Sequence, residues 1–154
     1  MGLLEKRGFK QDDFALNHPG GSLGRKLLVT VQDLMHAGDT IPTVAEDADI
    51  YAVLTEMSVK RLGTTLVVND KGHMRGVITD GDLRRLMESK RDIATISAAD
   101  LMSKNPKTVQ KDDMATKALQ LMEEYSITCI AVSDDGKTID GMIHLHDLLR
   151  SGIA

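Results

Sequence analysis

The sequence predicts an α+β fold made of two copies of one small unit, each a short β-sheet with two packed helices. Three observations carry that expectation. Gly76-Val77-Ile78-Thr79-Asp80-Gly81-Asp82-Leu83 reads as the end of a buried strand turning straight into an amphipathic helix, with Leu83, Leu86 and Met87 at helical spacing. The same pattern returns 65 residues later as Gly141-Met142-Ile143-His144-Leu145-His146-Asp147-Leu148. At that offset Thr43, Val44, Met57, Val67, Gly76, Ile78, Asp82, Leu83 and Arg85 also meet identical residues, Thr108, Val109, Met122, Val132, Gly141, Ile143, Asp147, Leu148 and Arg150. An internal repeat at fixed offset outranks any local pattern.

Each copy follows the same local logic. Asp33-Leu34-Met35 and Asp100-Leu101-Met102 echo each other at an offset of 67. Thr30-x-x-Asp33 and Ser97-x-x-Asp100 look like capping boxes with Asp for the usual Glu, opening short helices that end at Met35 and Met102. Pro42 and Pro106 mark the strands carrying Thr43-Val44 and Thr108-Val109. Helices follow from near Asp49 to Arg61 and from near Met114 to Tyr125. Ile50, Val53, Leu54 and Met57 face the core in the first, and Ala118, Leu119 and Met122 in the second. Leu66-Val67-Val68 and Ile130-Ala131-Val132 are buried strands. Asn69-Asp70-Lys71-Gly72 and Asp134-Asp135-Gly136 are the hairpin turns that return the chain to the motif strands.

A strand that ends on polar side chains at a helix N-terminus can receive a phosphate, because the first N–H groups there lack intrahelical partners. Asp82 repels a phosphate but can accept hydrogen bonds from sugar hydroxyls. Thr79 near phosphate and Asp82 on ribose would make a nucleotide holder. Thr79 or Asp80 as a plain helix cap accounts for the same residues. The ligand site is expected between the copies, walled by Ile41 to Thr43, Lys107 to Thr108, Gly63 to Thr65 and Thr128 to Ile130. Gly63 lets a backbone approach a base, and Thr64, Thr65 and Thr128 offer hydroxyls, although ordinary strand and turn chemistry explains each taken singly. Arg84, Arg85 and Arg150 either neutralise phosphates or form solvated salt bridges. His144 and His146 alternate on a strand end, but no third ligand is evident, so no metal is expected.

The copies resemble the CBS (cystathionine β-synthase) domain, which occurs as a tandem pair. The resemblance covers about Thr30 to Gly152 and rests on the Asp-Leu-Met openings, the Thr-Val strands and the Gly-x-Ile-Thr-x-x-Asp-Leu close. It implies an α+β tandem pair with CBS domains at 30–91 and 92–154. It also implies nucleotide contacts from Thr79 and Asp82. In the second copy His144 stands where the family has Thr or Ser, so the resemblance implies a ribose contact only, from Asp147. Thr43, Thr108 and Ile130 complete the candidate ligand-binding set.

Residues 1–29 lie outside the repeat. Leu3 to Gly8 reads as the end of a helix, and His18-Pro19-Gly20-Gly21-Ser22-Leu23-Gly24 as a loop. Arg7-Gly8-Phe9, Asp13-Phe14-Ala15, His18-Pro19-Gly20-Gly21 and Leu23-Gly24-Arg25-Lys26-Leu27-Leu28, followed by a CBS pair, resemble the junction in D-arabinose-5-phosphate isomerases. Those enzymes join a sugar-isomerase (SIS) domain to a CBS pair and convert ribulose 5-phosphate to arabinose 5-phosphate on the route to Kdo of lipopolysaccharide and some capsules. The resemblance implies that His18 belongs to the active site of the full-length enzyme. Aldose–ketose isomerisation needs a base and a second proton shuttle, and His18 alone supplies neither pair nor sheet. The chain is therefore read as a fragment of such an enzyme, with Met1 an added start, inactive by itself.

Composition narrows the classes. Apolar residues make up 42% of the 154 and aromatics 3%, so the nine Met must fill part of the core. A net charge of −4 argues against nucleic acid as a partner. The lone Cys129 cannot form an internal disulfide and sits in an apolar run, so a buried structural thiol and a reducing cytoplasm are expected. No apolar run approaches the ~18 residues that span a bilayer, and early Glu5 and Lys6 fit neither a secretory signal nor myristoylation. Three classes remain: a sensing module that binds a nucleotide or sugar nucleotide, the isomerase itself, and an oligomerisation scaffold with a vestigial site. No cofactor is required. Effectors implied by the resemblance are AMP or ATP, or CMP-Kdo, the activated end product. Apolar motif helices (Leu83, Leu86, Met87, Leu148, Leu149) predict a homodimer of CBS pairs, and a homotetramer when the SIS domain is attached.

Overall fold

The computed structural model describes residues 28–154. The expected helix end at Leu3 to Gly8 and the His18 loop lie outside them. Thr30 opens α1 (Val31–Leu34), its N–H donating to Asp33 Oδ2 at 2.9 Å, and the helix stops at Met35. A short 3₁₀ turn, Gly38–Thr40, leads into β1 (Thr43–Ala45). Asp49 then caps α2 (Ile50–Lys60), its Oδ1 accepting from the Ala52 N–H at 2.8 Å. β2 (Thr64–Val68) and β3 (Met74–Thr79) form a hairpin whose turn is held by Asn69 Oδ1, which accepts from the Lys71 and His73 N–H groups.

Thr79 ends the strand and caps α3 (Asp80–Glu88). After a 3₁₀ turn at Ile93–Thr95 the second copy repeats the order: α4 (Ala98–Leu101), β4 (Ser103–Lys104), β5 (Thr108–Val109), α5 (Ala115–Tyr125), β6 (Cys129–Val132), β7 (Gly141–His144) and α6 (Leu145–Arg150). The eight residues between β6 and β7 form a wider connection than a tight hairpin. Asp135 organises it, accepting from the Lys137 and Thr138 N–H groups and the Thr138 and Ser133 hydroxyls. Those backbone donors, above all Thr138, hold its carboxyl well below the usual carboxylate range.

Strand registers obey the repeat. The first sheet runs β1-β2-β3-β4 and the second β5-β6-β7. Thr43 pairs in parallel with Leu66 as Thr108 does with Ala131, and Leu66 opposes Val77 as Ala131 opposes Met142. The edge place that β4 fills beside β3 is taken, beside β7, by His36 alone. Its N–H donates to Met142 O at 2.7 Å, and Met142 N–H donates back at 3.0 Å.

The spatial halves differ from the sequence halves. Each opening helix docks on the opposite copy. Val31 N–H donates to Asp113 O at 2.8 Å, and Ala98 N–H donates to Ala48 O at 2.8 Å. Val31, fully buried, packs with Val109, Ala118, Met122, Ile143 and Leu148. Ile96 and Ala98 pack with Ile50, Val53, Ile78 and Leu86. A unit of some sixty residues buries too little surface alone, and this reciprocal exchange makes each core depend on both copies. A third cluster, Ile41, Leu66, Met74, Ala131 and Met142, joins the two sheets.

Met57, Met74, Met122 and Met142 are buried, as the shortage of aromatics predicts. Leu54 is a correction: it is 38% exposed, because α2 buries Ile50, Val53 and Met57, and Leu54 falls at the fringe of that stripe. The apolar surface expected on the motif helices also shrinks. Leu83, Leu86 and Leu148 serve the chain's own cores, leaving Met87 and Leu149 half exposed. Among the described residues no helix is long and apolar enough to cross a membrane.

Candidate functional site

Both motif strands end at one cleft of about 970 Å³. Leu66, Val77, Ala131 and Met142, from the two facing sheets, give it an apolar floor. Gly63, Thr64, Thr79 and Asp82 line it from the first copy, and Thr128, Cys129, His144 and His146 from the second. The Ser103 to Lys107 segment closes one side. Arg61, Arg85, Lys104 and Lys107 outnumber Asp80 and Asp82 on the walls, so the cleft favours an anion although the whole chain is acidic. A mixed apolar and polar cleft of this size suits a small organic ligand.

Thr79 and Asp82 are preorganised by a capping box. Asp82 Oδ2 accepts from the Thr79 N–H at 2.9 Å and from its hydroxyl at 3.2 Å, and Asp82 Oδ1 accepts from Arg85 at 2.6 Å. A carboxylate offers about four lone-pair directions, so Oδ1 keeps one for a ligand hydroxyl. The cap and the ligand reading are thus compatible in one geometry. Gly63 adopts φ +69°, a conformation that L side chains avoid, and its carbonyl accepts from the Asp80 N–H at 3.1 Å. A Cβ there would lie 3.0 Å from Asp80 Oδ2.

The second motif uses an imidazole as its cap. His144 Nδ1 accepts from the His146 N–H at 3.0 Å, so in the neutral ring the proton sits on Nε2. Burial, then the neighbouring His146, pushes the His144 pKa below its ordinary value despite the opposing pull of Asp147. A neutral ring does not serve as the imidazolium partner of an anionic sugar nucleotide. His144 instead presents a hydrogen-bond donor where its counterpart, Thr79, carries a hydroxyl. Burial also pushes the Cys129 thiol up to about 12, with the Asp147 charge adding to it, which makes Cys129 inert. Among the described residues no group of three metal-ligating side chains is present.

Other candidates stand elsewhere. Thr65 is fully buried and its hydroxyl donates to Leu66 O at 3.3 Å. Ile130 belongs to the second core. Thr43 lines a separate small groove with Asp39, Ile41 and Lys60, and its N–H is taken by Glu56 Oε2 at 2.9 Å. Thr108 is spent on strand pairing with Ala131. Asp147 is buried beside the cleft, not on its wall. The strand starts of the two copies therefore contribute unequally: Pro106 and Lys107 reach the cleft, Ile41 and Thr43 do not.

The CBS-domain profile matches residues 31–89 and 98–153. The chain belongs to the CBS-domain family. As a tandem CBS pair it is 44% identical over 153 residues to arabinose 5-phosphate isomerase KdsD of Yersinia pestis, covering 99% of this chain and 46% of that protein. It thus spans about half the length of the curated relatives it matches. The fold also matches CBSX2 solved in complex with AMP, at TM-score 0.71 and 22% identity over 81% of this chain and 96% of the other. A CBS-domain pair solved with 5′-methylthioadenosine and S-adenosyl-L-methionine matches at TM-score 0.68 and 21% identity, over 79% and 94%.

Sequence reasoning missed several walls of the CBS-pair cleft: Arg61, Ser103, Lys104, Asn105 and Tyr125. Lys107 Nζ lies 4.4 Å from the Tyr125 ring centre, a cation–π contact at the mouth. Arg61 and Asn105 both have positive φ, as does Ser126 after Tyr125. Irregular, polar connections beside the motif strands were the available signal. The exchange that brings Ser103 and Lys104 to the first motif carries no local signature.

Proposed function

We propose that this chain is the nucleotide-sensing regulatory part of a D-arabinose-5-phosphate isomerase, the enzyme that converts ribulose 5-phosphate to arabinose 5-phosphate for Kdo of lipopolysaccharide or capsule. The observation that carries the reading is the cleft between the two CBS copies. It is cationic on its walls and apolar on its floor, and at Asp82 it has one free acceptor direction. The likeness over nearly the whole chain to arabinose 5-phosphate isomerases supports the enzyme, and structural relatives solved with adenosine ligands support the ligand class. Thr79, His144 and the basic wall would face phosphate, and Asp82 the ribose. A cytoplasmic protein, dimeric through its CBS pairs and tetrameric with its SIS domain, fits this role. His18 would act in the full-length active site.

Thermal denaturation with AMP, ATP, CMP and CMP-Kdo tests it. A ligand at a hundred times its Kd adds about 2.7 kcal/mol, or a rise of roughly 5–10 °C for a chain of this size. No rise with any of the four defeats the sensing reading. The chain alone is expected to turn over no ribulose 5-phosphate. One observation favours the scaffold reading as second choice: the Thr79–Asp82 box is internally satisfied without a ligand, while Met87, Leu149 and Tyr51 stay exposed. Stable dimers that ignore all four nucleotides would establish it.

A further inference from the structure

The two motifs are related by the repeat, yet their carboxylates have different surroundings. Offsets of 67 and 65 carry Ser103 and Asp82 onto His36 and Asp147. The backbones obey that relation, since Ser103 pairs with Val77 as His36 pairs with Met142. The side chains do not. Asp82 receives its bonds from Thr79 and Arg85, and Ser103 stands apart on the cleft wall. His36 is longer, and its Nε2 lies 3.0 Å from Asp147 Oδ2 and 3.2 Å from Oδ1. The His144 N–H donates to Oδ2 at 2.9 Å and Arg150 to Oδ1 at 2.6 Å. Asp147 thus has three donors, as Asp82 has, but one of them, the His36 ring nitrogen, lies against both oxygens and covers the side on which Asp82 stays open to the cleft. An incoming sugar hydroxyl would have to displace an imidazole already in hydrogen-bond contact.

We infer that His36 and Asp147 form an internal lock: the imidazole occupies the ligand position of the second motif, and the chain takes one nucleotide, at Asp82. The lock also pins the segment from Thr30 to His36, which leads in from the chain's N-terminal stretch, onto the second core. Two contacts hold that segment beside β7, the reciprocal Met142 pairing and the His36–Asp147 bond. The single-site stoichiometry rests on the nucleotide reading above, but the lock itself does not.

Two measurements decide it. In the ligand-free chain, amide exchange at His36 and Met142 is compared between the wild type, His36→Ala and Asp147→Asn. Loss of a hydrogen bond to a charged group is worth about 1.5–3 kcal/mol, so exchange should quicken about tenfold or more in each variant. His36 is 31% exposed, so its substitution leaves the core packing intact even if Asp147→Asn unfolds the chain. Unchanged exchange in His36→Ala overturns the lock. Separately, calorimetric titration with AMP and with CMP counts nucleotides per wild-type chain. One supports the inference and two overturns it, with the nucleotide reading intact. No binding by either nucleotide defeats the single-site assignment, while the exchange data still decide the lock.

Discussion

Replacing Gly141 with alanine probes the exchange of opening segments on which the fold depends. A Cβ at Gly141 would lie 2.5 Å from the His36 carbonyl oxygen and 2.6 Å from Met35 Sδ. Met35 can swing aside, but the carbonyl is fixed by the Met142 N–H at 3.0 Å, and His36 N–H holds the same neighbour at 2.7 Å. The clash therefore falls on the bridge. Overpacking costs about 1–3 kcal/mol, and losing two ordinary hydrogen bonds about 0.5–1.5 kcal/mol each. The expected loss is roughly 2–6 kcal/mol out of a typical total of about 5–15 kcal/mol. That is a fall in Tm of roughly 4–24 °C for a chain of this length. Gly81→Ala is the control, since its Cβ would meet only ordinary contacts, the flexible end of Arg85 at 3.4 Å and the Thr79 hydroxyl at 3.6 Å, inside a helix that prefers alanine. Urea denaturation of both variants, with amide exchange at Met142, reads the effect. A Gly141→Ala chain within about 0.5 kcal/mol of wild type would refute the argument that the glycine is required by the crossing segment.

Three further outcomes are expected. Asp82→Ala should weaken nucleotide binding roughly 10- to 100-fold by calorimetry, because charge-assisted bonds to ribose are worth about 1.5–3 kcal/mol; unchanged affinity would move the sensing site off the first motif. His144 has a folded pKa below its unfolded value, so on acidification the unfolded chain takes up the proton first. Stability should fall as pH drops from about 6.5 through the folded pKa, and His144→Thr should flatten that slope in pH-dependent melting; equal slopes in both proteins would count against a neutral His144. Cys129, with its thiol at about 12, should resist iodoacetamide at pH 8 in the native chain and react only in denaturant, as mass spectrometry would show.

Much of this architecture is legible in the sequence because it is local. Hydrophobic period, capping pairs and turn residues act within a few positions, so α2, α5, the paired strands and all four Ser/Thr/His-x-x-Asp boxes lie where the repeat places them. The cleft between copies and its Thr79 and Asp82 corner follow from the same reasoning. What tertiary structure alone decided is which copy each opening helix serves. Val31 is an ordinary valine in its own repeat, and only packing reveals that it completes the other core. The same exchange explains why Gly76 and Gly141 must be glycine, since each is crossed by backbone from the opposite copy. It also separates two motifs that read as near equals. Ser103 leaves Asp82 open to the cleft while His36, at the matching edge, reaches Asp147. Side-chain length at a position 111 residues away in sequence decides whether that carboxylate gains an imidazole partner, and no periodicity or spacing encodes a contact at that separation.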